Sequence, residues 1–130
     1  MKAADTNVLA RYFLGDDPDQ TRRAAKFLNE ECSVAEPCLI NRIVLCELVW
    51  VLERGYKQGR ERIVAFLEEL FQAQQIVIED SDEALLALRK YENGAGFADS
   101  FLGELNRRLG CEYTATFDRR AARGLLFRRL

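Results

Sequence analysis

The chain contains no histidine. That absence removes imidazole as a general base, the Ser–His and Cys–His nucleophile pairs, and histidine-ligated zinc. Cysteine is sparse, and Cys32, Cys38, Cys46 and Cys111 form no C-x-x-C pair. Such spacing fits the reduced packing thiols of a cytoplasmic protein, not a disulfide framework. With neither imidazole nor a thiolate cluster, any metal would be held by oxygen, which selects a hard cation such as Mg²⁺ or Mn²⁺. No apolar run approaches the roughly 20 residues of a membrane-spanning helix, and the N-terminus lacks the apolar core of a signal peptide. No repeat or low-complexity tract is visible, which argues against the solenoid and disordered classes. Nor does one sign of charge dominate: 19 Lys and Arg face 21 Asp and Glu, a net charge of −2. The field of the whole molecule will not draw in nucleic acid, so any such binding must be local.

What is present is a chain of 130 residues, 48% hydrophobic and 31% charged. That describes one globular domain over residues 1–130, long enough to bury a core. Met1–Ala4 reads as a short strand and Val8–Leu14 as a helix. Gly15-Asp16-Asp17-Pro18 ends it, and Pro18 opens a second helix carrying Ala24, Ala25, Phe27 and Leu28. Ser33–Ile40 reads as an irregular strand interrupted by Pro37. Asn41 caps the next helix. Ile63, Phe66, Leu67, Leu70 and Phe71 recur at helical spacing. Ile76-Val77-Ile78 is a β-branched strand. A helix from Ser81 turns Ala84, Leu85 and Leu88 inward, and Asn93-Gly94-Ala95-Gly96 breaks it. Phe97–Leu109 is helical with Phe101, Leu102, Leu105 and Leu109 on one side, and Gly110 ends it. Tyr113–Thr116 is a strand, Arg119–Arg123 a short helix, and Leu125–Phe127 a last strand.

Alternating strands and helices argue for an α/β fold with a parallel sheet covered on both faces. Ligands in such sheets collect beyond the carboxyl ends of the strands. Asp5 follows the first strand, Asp118 follows Tyr113–Thr116, Asp99 lies near the start of the helix before that strand, and Glu47 lies in the second turn of the Asn41-capped helix. Glu47 is the sole polar side chain in the run I-V-L-C-E-L-V-W-V-L from Ile43 to Leu52. A stretch so apolar is expected to be buried, and a buried carboxylate needs a cationic partner. Taken singly, Asp5, Asp99 and Asp118 are also ordinary helix-start acids. Jointly, four acids at one sheet edge repel unless a counter-charge gathers them, and a divalent cation supplies it. Asn7 and Thr116 are candidates for supporting polar contacts. Such a site suits metal-assisted phosphodiester hydrolysis.

The segments D-T-N after the first strand, V-L-C-E-L-V-W-V-L, G-F-A-D-S-F-L and T-A-T-F-D resemble the PIN-domain nucleases, and within them the VapC-type toxins. The likeness runs nearly end to end, in the family's order and spacing. It implies a PIN-like three-layer α/β/α domain with a short, mostly parallel central sheet and the first strand near its middle. It implies a Mg²⁺- or Mn²⁺-dependent endoribonuclease, often a homodimer, held inactive by a cognate antitoxin. By motif, Asp5, Glu47, Asp99 and Asp118 become the acidic ligands, with Thr116 as a polar neighbour.

Other features are weighed beside it. Gly94 and Gly96 lack the strand–loop–helix setting and the lysine of a phosphate loop, and read as a flexible lead-in to Asp99. Arg119, Arg120, Arg123, Arg128 and Arg129 make the C-terminus basic and are candidates for contacts to an RNA backbone, with Arg11 and Arg42 as weaker ones, against the plainer reading of a solvated surface. An aspartyl-phosphate enzyme would want a second Asp two residues after Asp5, where Asn7 stands. The competing non-enzymatic reading is a binding module whose acids pair with arginines of a partner protein.

Overall fold

The computed structural model describes residues 1–130. The chain packs as two compact units, Met1–Glu79 and Asp80–Leu130.

The first unit contains β1 (Lys2–Ala3), α1 (Thr6–Leu14), α2 (Pro18–Lys26), β2 (Cys38–Ile40), α3 (Arg42–Trp50), α4 (Arg60–Gln72) and β3 (Ile76–Ile78). Its strands pair in parallel in the order β1-β2-β3, with Lys2 beside Cys38 and Cys38 beside Ile76. Parallel strands need a crossover, and helices supply it. Each early helix begins with a side-chain cap: Asp5 accepts from the Val8 N–H, Asp17 from Gln20 and Asn41 from Val44. Gly15 ends α1 in the left-handed region (φ 64°), where a Cβ would be strained. Wide π-turns continue α2 over Phe27–Glu31 and α3 over Val51–Gly55. The core gathers Leu9, Leu28, Ile40, Leu45, Leu48, Leu52, Ile63 and Leu67, all fully buried.

The second unit contains α5 (Ser81–Glu92), α6 (Phe97–Arg108), β4 (Thr114–Thr116), a 3₁₀ turn at Ala121–Arg123, and β5 (Phe127–Arg129). β4 and β5 pair in parallel, Thr114 beside Phe127. Phe97 packs edge-on against both Tyr91 and Phe101, with ring centroids 6.1 and 5.8 Å away. Gly103 lies mid-helix because β5 comes close: a Cβ there would stand 2.8 Å from the Phe127 ring.

Several expectations shift. The strand expected over Ser33–Ile40 shrinks to Cys38–Ile40, because Ser33 closes a turn by accepting from the Glu36 N–H. The first strand, expected near the middle, is an edge of the three-stranded sheet, and β2 is central. The last strand starts at Phe127, two residues later than expected. α6 buries Phe97, Ser100, Phe101, Gly103 and Glu104, leaving Leu102 and Leu109 exposed. On α5, Ala84, Ala87, Leu88 and Tyr91 point inward, while Leu85 is exposed.

The buried face of α6 therefore includes a charge. The Glu104 side chain is 4% exposed and meets Lys90 Nζ at 2.8 Å and Arg107 at 2.7 Å. Burial pushes its carboxyl up, but the hydrogen bonds and charges of Lys90 and Arg107 outweigh that, leaving it below its ordinary value of 4.5. A carboxyl depressed on folding contributes stability that is present above its unfolded pKa and lost as pH falls through the folded value. Two outcomes are expected. Glu104→Gln lowers stability by about 1–3 kcal/mol at neutral pH, and flattens the acid limb of the stability-against-pH curve below about pH 4.5 in urea titrations. Gly103→Ala forces the Phe127 ring aside and destabilises the protein by about 1–3 kcal/mol by the same measurement.

Candidate functional site

Within the first unit, Asp5 ends β1 and caps α1. Its Oδ1 accepts from Val8 at 3.2 Å, so the plain capping role is real and Oδ2 remains outside that bond. Asp5 and Asn7 line one cavity of about 600 Å³ together with Arg11, Arg22, Arg23 and Lys26. Arg11 is fixed there by Asp16 (2.8 Å) and Gln20 (2.9 Å). Thr6, between the two polar residues, is buried with its hydroxyl unpartnered. Arg42 opens α3 and leans toward Glu79, its Nε 3.9 Å away.

Glu47 corrects the sequence reading. It is exposed, not buried. Residues 43, 47 and 50 share one face of α3, and Ile43 (70%) and Trp50 (61%) are exposed with it. The opposite face, with Leu45, Leu48, Val49 and Leu52, carries the burial. An all-apolar run hid which side of the helix the core would claim. No cationic side chain of the protein meets Glu47, and being solvated it does not require one.

Within the second unit, Asp99 stands in the first turn of α6 and is exposed. Like Glu47, it engages in no ion pair or side-chain hydrogen bond. Asp118 follows β4 and closes a turn: its Oδ1 accepts from the Arg120 N–H at 2.7 Å and from Ala121 at 3.2 Å. Thr116 Oγ1 accepts from the Asp118 N–H at 3.0 Å, so the two residues expected as neighbours are linked. A cavity of about 670 Å³ places Asp99 and Arg120 together with Arg89, Lys90 and Arg123. Arg119 does not line it. Lys90 was missed in the sequence, where no motif joins it to Arg123, a member of the basic C-terminal group 33 positions later.

In neither unit do three acidic or cysteine side chains gather into a group able to hold a metal ion. The chemistry of the set nevertheless suits one. All its donors are oxygens, two carboxylates have no protein partner, and Asp5 keeps one oxygen clear of its cap. The thiols offer no alternative. All four cysteines are free, and burial, aided by Cys32, pushes the Cys38 thiol up to about 11, far from a thiolate. No helix is long and apolar enough to cross a membrane.

Comparison with known proteins supports the family resemblance. The chain is 27% identical over 121 residues to a VapC ribonuclease of Aquifex aeolicus (strain VF5), an alignment covering 92% of this chain and 89% of that protein. The PIN domain family model matches residues 3–124, and with its α/β elements and parallel strands the chain belongs to the PIN-domain family.

Proposed function

We propose that this protein is a Mg²⁺- or Mn²⁺-dependent endoribonuclease and acts in the cytoplasm as the toxin of a toxin–antitoxin pair. Family membership and the likeness to a VapC ribonuclease support a nuclease. The observation that carries the metal dependence is the unpartnered state of Glu47 and Asp99. Asp16, Asp19, Glu79, Asp80, Glu83, Glu92 and Glu104 sit in ion pairs, whereas Glu47 and Asp99 do not. Acids left without a protein cation at the family's motif positions are available to an ion from solution.

Asp5, Glu47 and Asp99 would hold the ion. Asp118, with one oxygen committed to its own turn, would act through its other oxygen, supported by Thr116. A bound divalent ion activates water and stabilises the charge developing on phosphate oxygens. The protein's own part is to supply oxygen ligands, to accept the proton of the attacking water on a carboxylate, and to grip the substrate. Asn7 would support Asp5. Arg11, Arg42, Arg119 and Arg120 would meet the RNA backbone. Protein partners are expected on the exposed apolar side chains, Ile43 and Trp50 of α3 and Leu102 and Leu109 of α6; apolar surface of this kind suits a second copy and an antitoxin.

The test is cleavage of a mixed RNA pool by purified protein. We expect cleavage with Mn²⁺ or Mg²⁺, none with EDTA, and a loss greater than about 100-fold in Asp5→Asn and Asp99→Asn, since even the supporting partners of metal ligands are worth about 10–100-fold. Full activity in a folded Asp99→Asn protein would sink the assignment. A folded wild-type protein that neither cleaves RNA nor gains thermal stability with millimolar metal would be a binding module instead.

A further inference from the structure

The cavity of the second unit holds more cationic groups than any capping or packing role requires. Arg89, Lys90, Arg120 and Arg123 surround a single carboxylate, Asp99, with Phe127 contributing an apolar wall. Two of these cations are neutralised inside the unit: Lys90 by Glu104 at 2.8 Å and Arg89 by Glu92 at 2.7 Å. The other two are not. Arg120 donates one N–H to the Gly94 carbonyl at 3.0 Å, which fixes its direction and leaves the rest of its planar fork uncommitted. Arg123 makes no ion pair or side-chain hydrogen bond at all.

Two uncommitted guanidinium groups in one concave site present the fork geometry that phosphate oxygens match. The volume, about 670 Å³, lies in the range of small-ligand pockets and exceeds what a lone phosphate fills. It leaves room for the attached nucleoside against the Phe127 wall. The chain as a whole is acidic, so a polyanion can be attracted only by such a local concentration of positive charge. We propose that this cavity is a subsite for one nucleotide of the RNA strand. Arg120 and Arg123 hold its phosphate beside Asp99, and Arg123 positions the strand. The inference rests on the ribonuclease reading above and adds a named subsite to it.

The experiment measures affinity, not activity. A fluorescently labelled single-stranded RNA of mixed sequence is titrated by anisotropy against the full-length Asp5→Asn protein, without added metal, between about 50 and 200 mM salt. Each phosphate contact contributes about 0.7 to the slope of log affinity against log salt for single strands. Arg123→Ala and Arg120→Ala should each reduce the slope by about that amount, Arg123→Lys should restore it, and Arg54→Ala, at a residue that does not line the cavity, should leave it unchanged. An unchanged slope in Arg123→Ala overturns the subsite while leaving the nuclease reading intact. Equal losses in Arg123→Ala and Arg54→Ala also overturn it, since they would reflect net charge alone. If the parent binds no RNA but binds an acidic peptide through Arg123, the pocket belongs to a protein partner and the subsite falls. If the parent binds neither, the subsite and the reading beneath it fall together.

Discussion

Parallel pairing between strands of two and three residues is the constraint on which the rest of the first unit depends. A parallel strand cannot return through a tight turn, so each must hand over to a helix before its neighbour begins. β1 ends at Ala3, and two residues later Asp5 is already capping α1; β2 ends at Ile40, and Asn41 caps α3 at once. Only a few backbone bonds hold this ladder, among them Ala4 to Leu39 at 3.2 Å and Glu79 to Ile40 at 3.0 Å. Strands so short contribute little by themselves, and the buried faces of α1, α3 and α4 hold the sheet in place. The ends of the strands therefore become positions where a polar residue must satisfy helix N–H groups. Asp5 does so and still keeps an oxygen to offer. In the second unit Asp118 does the same for the turn after β4.

The distribution of charge follows a similar division of labour. Where carboxylates meet arginines and lysines on the surface, such pairs are worth little. Glu104 is different: it is buried, and Lys90 and Arg107 offset the cost of burying its charge. Glu47 and Asp99 have no cation assigned to them, and Arg123 has no anion.

The α/β class, the helical repeat in Ile63–Phe71, the caps at Asp5 and Asn41 and the parallel strand at Ile76–Ile78 were legible because each rests on local chemistry. What was not legible depended on tertiary contact. The run from Ile43 to Leu52 is apolar on every side, so its periodicity could not say that the core would take Leu45, Leu48, Val49 and Leu52 and leave Glu47 beside Trp50 in solvent. On α6, the leucines suggested one face, but the approach of Phe127 to Gly103 selected another and carried Glu104 inward. The candidate acids were found by motif and position. The cavity that joins Asp99 to Arg120 and Arg123 comes from the packing of segments far apart in the chain.

The central proposal is that Asp5 and Asp99 are each needed for a divalent ion to bind. Its most direct test is a Mn²⁺ titration followed by electron paramagnetic resonance on the wild-type protein and on folded Asp5→Asn and Asp99→Asn variants. Tight Mn²⁺ binding by the wild type, lost in each single variant, is the result the account predicts. Binding that survives in either variant, or a wild-type protein that binds no Mn²⁺, would contradict it.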